Sequence, residues 1–264
     1  MQPFQCLPYS ELTTMKTIAV SGKGGTGKTT LAALIIHWIR ENRTRSILAV
    51  DADSNVNLND LLGVPIKDTV GAIREEMRKS VNNIPGGMTK QQFLEYKIQS
   101  SLVESPDFDL IAMGRPEGPG CYCYANNLLR EILQTLGENY EFVIIDNEAG
   151  MEHLSRRTTQ TIDYLLIVSD PSPRGVHAAD RISNILEELD TRVNKKYLIL
   201  NRVQNQPSDA VNCAIKETGL TLLEAIPDDP ALLTMDYNGT PVSSASKEFP
   251  AYRAVSHFMD KLKL

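Results

Sequence analysis

The chain has 264 residues, enough for one large α/β domain with a substantial core. Its net charge of −6 argues against a general affinity for nucleic acid or an anionic membrane, and no apolar run is long enough to span a bilayer. Four cysteines (Cys6, Cys121, Cys123 and Cys213) are too few for a disulfide framework, which fits a protein of the reducing cytoplasm.

Residues 1–14 have no basic start and no apolar centre, so they read as a polar extension or a misassigned start rather than a secretory signal. The domain is expected to begin at Met15 and run to residue 264. Thr17–Val20 is a short apolar strand, followed by Ser-Gly-Lys-Gly-Gly-Thr-Gly-Lys-Thr-Thr over 21–30. Gly22, Gly27, Lys28 and Thr29 fill the phosphate-loop pattern G-x-x-x-x-G-K-[ST]. Glycines let the backbone curl so that the N–H groups of residues 22–30 (Gly24, Gly25, Thr26 and Thr30 included) point at phosphate oxygens. Lys28 supplies charge to the β/γ-phosphates, the Thr29 hydroxyl is suited to Mg²⁺, and a helix over Lys28–Glu41 adds its positive N-terminal end.

Strand Ile47–Val50 delivers Asp51-Ala-Asp53 one unit after the loop, where carboxylates face Mg²⁺ and the attacking water. The stretch 56–106 is charged and partly helical (Val70–Lys79), and reads as a helical insertion on the rim. Strands are then expected at Leu110–Met113, Phe142–Ile145, Tyr164–Val168, Tyr197–Leu200 and Thr221–Ile226, and helices at Ala125–Leu136, Gly175–Leu189, Ser208–Thr218 and Ala251–Lys263. Alternating β and α segments with unalternating apolar strands predict a doubly wound, mostly parallel sheet of about seven strands with helices on both faces. Asp146, directly after Phe142–Ile145, is a second strand-end carboxylate of the kind that holds Mg²⁺ in phosphate-loop enzymes.

Lys23 is not required by the general loop pattern. The run from Lys23 to Thr30, K-G-G-T-G-K-T-T, resembles the deviant phosphate loop of the dimeric ATPases that include MinD, the partition ATPases and the nitrogenase iron protein. That resemblance implies a homodimer in which Lys23 reaches the partner's nucleotide. It implies that Asp53 orients the water and that Asp51 supports Mg²⁺ through its water shell. Asp146-Asn-Glu-Ala-Gly150 matches the second switch of the class, with Gly150 approaching the γ-phosphate. Asn201 would bond the adenine edge, with Arg202 beside it and Pro227 and Asp228 flanking the base. GTP-specific relatives carry an Asp where this chain has Gln204, which makes ATP the expected nucleotide.

Gly118-Pro-Gly-Cys121-Tyr-Cys123 supplies two thiols one residue apart, and a two-fold dimer would bring the pairs together as four thiolates. Together with Asp146-Asn-Glu-Ala-Gly-Met-Glu-His-Leu154, this run is similar to the CooC-type ATPases, accessory proteins that insert nickel into carbon monoxide dehydrogenase, with relatives serving acetyl-CoA synthase. The resemblance spans about residues 15–264 and implies an ATP-gated dimer whose Cys121 and Cys123 pairs hold Ni²⁺ or Zn²⁺ for a client nickel enzyme. A regulatory or structural use of the two cysteines stays open, and His153 reads as a structural or interface residue. A MinD-like or ParA-like switch for membrane or DNA positioning is the alternative. It would need a basic amphipathic C-terminal helix or a basic face. The stripe of Tyr252, Val255, Phe258, Met259 and Leu262 carries few basic neighbours and reads as core.

Overall fold

The computed structural model describes residues 15–43, 46–79, 85, 87–115, 136–148, 161–188 and 192–264. Eight strands form one sheet: β1 Lys16–Gly22, β2 Ile47–Asp51, β3 Val103–Glu104, β4 Asp109–Ala112, β5 Phe142–Asp146, β6 Ile162–Ser169, β7 Val193–Val203 and β8 Leu222–Pro227. Their order is β3-β4-β2-β5-β1-β6-β7-β8, and only the edge pair β3–β4 is antiparallel. The seven expected strands are all present. The eighth, β3, has two residues, too short to leave a periodic trace in sequence.

Residues of β1 point alternately to two cores, Ile18 and Val20 to one face and Ala19 to the other. Strands β2 and β5 divide in the same way, which is why their sequences are apolar without alternation. Helix α1 (Lys28–Asn42) covers the first face and is buried from Leu31 to Ile39. Helices α2 (Leu58–Leu62), α3 (Val70–Lys79) and α4 (Lys90–Ser100) lie in the stretch read as a helical insertion. Then come α5 (Pro173–Glu188), α6 (Asp209–Thr218), α7 (Pro230–Tyr237) and α8 (Pro250–Leu262). The stripe Tyr252, Val255, Phe258, Met259 and Leu262 of α8 is buried in the same cluster as α1, so that face of the helix is core. Among the described residues no helix is long and apolar enough to cross a membrane.

Of the eight α-helices among the described residues, α2, α4 and α7 have no bounds expected from sequence. Helix α2 has five residues, too few for a period, and the fold closes it from outside through a carboxylate described below. Helix α7 mixes apolar residues with Thr234 and Asp236 without a strong amphipathic stripe, and its Leu232 and Met235 are only partly buried against the first core. Strand β1 sits between β5 and β6, with β2 reached on one side and β7 on the other. The crevice beyond the carboxyl end of β1 is therefore the place where such sheets bind ligands.

Candidate functional site

The loop from β1 to α1 occupies that crevice. Gly22 has φ +149°, and a Cβ there would lie 2.2 Å from the Val168 carbonyl oxygen of the neighbouring β6. Gly27 has φ +90°, and a Cβ there would lie 2.4 Å from Nδ2 of Asn201. Both glycines are thus demanded by close approach and by backbone conformation. Gly24 and Gly25 differ, because a Cβ on either would meet nothing within 4 Å. The middle of the loop faces open space, as a phosphate cradle must.

The loop is held in shape by its own atoms. The Thr26 hydroxyl and the Lys28 ammonium both donate to the Lys23 carbonyl, at 2.9 and 3.4 Å. Lys28 is only 7% exposed, and that single long bond is its one hydrogen bond among the described residues. A buried ammonium so lightly paired calls for an anion.

Two carboxylates end adjacent strands, since Asp51 of β2 stands opposite Asp146 of β5 in the ladder. Their situations are unlike. Asp51 is fully buried; its Oδ1 accepts from the Asp53 N–H at 3.0 Å, and its Oδ2 accepts from the N–H groups of Asn57 and Leu58, each at 2.9 Å. Burial still raises its pKa, against the lowering effect of the three amides. Asp146 is 1% exposed, and neither of its oxygens has a hydrogen-bond partner among the described residues. Burial first, then the charges of Asp51 and Asp53, push its pKa up to about 7, while the Thr29 hydroxyl and Lys28 oppose the rise. Thr29 thus lies near enough to favour the charged form. An orphaned buried carboxylate beside a threonine hydroxyl fits a hydrated Mg²⁺. Asp51 commits three acceptor positions to the amides of residues 53, 57 and 58 and keeps room for the water-mediated contact expected of it, while Asp146 stands beside Thr29 with neither oxygen bonded among the described residues.

Asp53 is half-buried and its Oδ1 accepts from the Asn55 N–H at 2.8 Å, a local Asx turn. Val56 follows at φ +44°, a conformation that β-branched residues avoid. The Ser54 hydroxyl donates to Glu148 Oε1 at 3.2 Å. Asn147, fully buried, donates its Nδ2–H and its backbone N–H to the Val20 carbonyl at 2.9 and 3.1 Å.

At the other end of the loop, Asn201 Nδ2 donates to the Thr26 carbonyl at 2.8 Å, and Asn201 Oδ1 accepts from the Arg202 N–H at 3.0 Å. Arg202, at φ +57°, donates from Nη1 to the Gly25 carbonyl at 3.2 Å. The contacts of Asn201 in this structure brace the loop, ahead of the base contact expected of it. Gly27, Thr30, Asn201, Arg202, Pro227 and Asp228 line one cleft, so these expected residues are brought together. Gln204 is exposed, and Asp228 donates its N–H to the Val203 carbonyl.

Asp229, beside the expected Asp228, was not singled out from sequence. Its Oδ1 accepts from the N–H groups of Ala231 and Leu232, and its Oδ2 from that of Ala251. One carboxylate therefore caps α7 and α8 together. The Asp229-Pro230 pair is a readable helix-start signal for α7; nothing local announces the second cap. Ser54 and Asn147 likewise had no signal, since their partners are remote in sequence. Cys121, Cys123, Gly150 and His153 lie outside the described residues. Among the described residues no group of histidine, cysteine and carboxylate side chains is arranged to hold a metal, and Cys213 is an exposed free thiol.

The sequence profile of the AAA domain matches residues 15–199. An uncharacterised ATP-binding protein of Methanocaldococcus jannaschii is 44% identical over 247 residues, 93% of this chain and 97% of that one. The carbon monoxide dehydrogenase accessory protein CooC of Rhodospirillum rubrum is 30% identical over 264 aligned positions, 91% of this chain and 93% of that one. Among solved structures, the septum site-determining protein MinD of Pyrococcus horikoshii, complexed with Mg-ADP, superposes with a TM-score of 0.67 at 22% identity. That alignment covers 94% of this chain and 96% of that one and carries the fold.

Proposed function

The chain belongs to the AAA domain family, and from that membership we propose that it is a Mg²⁺-dependent ATPase of the cytoplasm, working as a nucleotide-gated homodimer that carries nickel or zinc to a client enzyme. The observation that carries the ATPase reading is the pairing of an open cradle at Gly24 and Gly25 with a buried, lightly paired Lys28 and an orphaned Asp146. The cradle's backbone N–H groups receive the phosphates, and Lys28 offsets the negative charge that develops as the terminal phosphoryl group leaves. Mg²⁺, held by Thr29 and Asp146 with Asp51 supporting it through its water shell, would supply further neutralisation of the phosphate oxygens. Asp53 orients the attacking water, and Lys23, exposed at the front of the loop, acts on the partner's nucleotide. Asn201 and Arg202 keep the loop in its curled form before nucleotide arrives.

The base is read as adenine, because Gln204 offers no carboxylate to the two guanine N–H groups. Leaving a buried donor unpaired costs about 1–3 kcal/mol, so ATP should bind roughly 5- to 150-fold more tightly than GTP. The cargo reading is supported by the likeness to CooC and by the Cys121-Tyr-Cys123 run. It takes carbon monoxide dehydrogenase or acetyl-CoA synthase as the client. Each dimer would bind one Ni²⁺ or Zn²⁺ through four thiolates, with affinity coupled to nucleotide state in both directions. The test is a nickel titration of apo, ADP-bound and ATP-bound protein with sedimentation of the same samples. One metal per dimer, lost in Cys121→Ser and in Cys123→Ser, is expected; one per monomer, or affinity indifferent to nucleotide, overturns the cargo reading. Loss of hydrolysis in Lys28→Ala is expected of the ATPase itself.

A further inference from the structure

The loop that carries Asp53 is tied down at both ends by Asp51, through the N–H of Asp53 at its start and those of Asn57 and Leu58 at its close. Between those ends, Val56 sits at φ +44°, a conformation that persists only where surrounding contacts impose it. Among the described residues, one side-chain bond joins the middle of this loop to another part of the fold: Ser54 Oγ to Glu148 Oε1. Glu148 is itself rooted, since Asn147 before it bonds the Val20 carbonyl twice at the end of β1. A continuous path of contacts therefore runs from β1, next to the phosphate loop, through Asn147 and Glu148 to Ser54 and so to Asp53.

On the reading of this site as an ATPase, we propose that Glu148 is a positioning residue for hydrolysis, acting through the Ser54 hydroxyl to hold Asp53 where the attacking water must be oriented. The role calls for an acceptor oxygen at Glu148 rather than its charge. Ser54 supplies a neutral bridge between two acidic residues that would otherwise repel each other. Neither Ser54 nor Glu148 belongs to the phosphate cradle, so loss of the latch should alter the chemical step and leave nucleotide affinity alone.

The test compares Ser54→Ala, Glu148→Ala, the double variant, and the rescue variants Ser54→Thr and Glu148→Gln in the full-length protein. Each alanine variant should lower kcat by roughly tenfold with KM for ATP little changed. The double variant should be no slower than the slower single variant, as expected of two groups acting through one bond. Both rescue variants should recover most of the rate. Glu148→Gln as slow as Glu148→Ala, with Ser54→Ala unaffected, would mean that Glu148 acts by charge, and would overturn the latch. So would strictly additive losses. Hydrogen exchange supplies a readout independent of turnover: the amides of 53–58 should exchange faster in either alanine variant than in Glu148→Gln. Unchanged exchange in both alanine variants, where the wild type does hydrolyse ATP, defeats the latch alone, whereas absence of hydrolysis in the wild type defeats the ATPase reading on which it rests.

Discussion

Asp146 concentrates the chemistry of this protein into one side chain. Its carboxylate is buried without a partner among the described residues, beside a lysine and a threonine, and its pKa stands near 7 rather than 3.8. The sign of the consequence is definite. Protonation is favoured in the folded state, so the stabilisation is fully present below pH 3.8 and is lost as pH rises through about 7. Across that window the apo protein should lose on the order of 4 kcal/mol relative to a variant without the group. Asp146→Asn should flatten this dependence in denaturant melts at pH 4 to 8, and Mg²⁺ with nucleotide should flatten it in the wild type by favouring the charged form. A wild-type profile already flat over that range would contradict the burial of an unpaired carboxylate. Asp53 makes a different prediction, because it is half-buried and among the described residues its carboxylate bonds only a local amide. Asp53→Ala should bind ATP with near wild-type affinity and hydrolyse it at least tenfold more slowly, so that nucleotide-bound dimer accumulates; single-turnover rates beside equilibrium binding decide this.

Among the elements, the junction of β8 with α7 and α8 depends on Asp229. Helix α8 begins at Pro250 with no side-chain cap of its own, and Asp229 supplies one from 22 residues away while also capping α7. A helix cap is worth about 1 kcal/mol, so Asp229→Ala should cost about 2 kcal/mol by loss at both helices. Asp229→Asn should keep one cap and lose about half as much, read as the shift in a urea midpoint. Equal stability of the alanine variant and the wild type would show that water caps both helices as well. The strands were legible at this scale because two buried faces force near-continuous apolar runs, as in Ile47–Val50 and Phe142–Ile145. Helix α7 was not, because its apolar and polar residues form no strong stripe and only Leu232 and Met235 lean partly buried on the core, and α2 begins where Asp51 accepts the amides of Asn57 and Leu58.

For the whole molecule, the two-sided sheet sets the loop, the carboxylates and the base cleft along one edge, with Lys23 exposed there. If Lys23 acts across a dimer, Lys23→Ala should leave nucleotide affinity at low protein concentration unchanged. It should weaken ATP-dependent association and lower hydrolysis at high concentration. Sedimentation and turnover measured over a hundredfold range of protein concentration would separate this from a loop lysine that serves only its own subunit. In that second case the variant would match the wild type throughout.

The phosphate loop, the strand-end aspartates and the seven longer strands could be derived from sequence alone, because each depends on neighbours close along the chain, whereas β3 and the helices α2, α4 and α7 could not. Glycines at 22 and 27, a lysine at 28 and an apolar strand before them suffice to specify a strand–loop–helix unit. The division of labour among the acidic residues could not be so derived. Asp51, Asp146 and Asp229 are each an aspartate following a strand or closing one, alike in local sequence. Only the fold makes the first a loop scaffold and the last a double helix cap, and leaves the second without a bonded amide among the described residues. The reason is that hydrogen-bond satisfaction depends on amides that tertiary packing brings to a buried oxygen, and sequence neighbours do not report them.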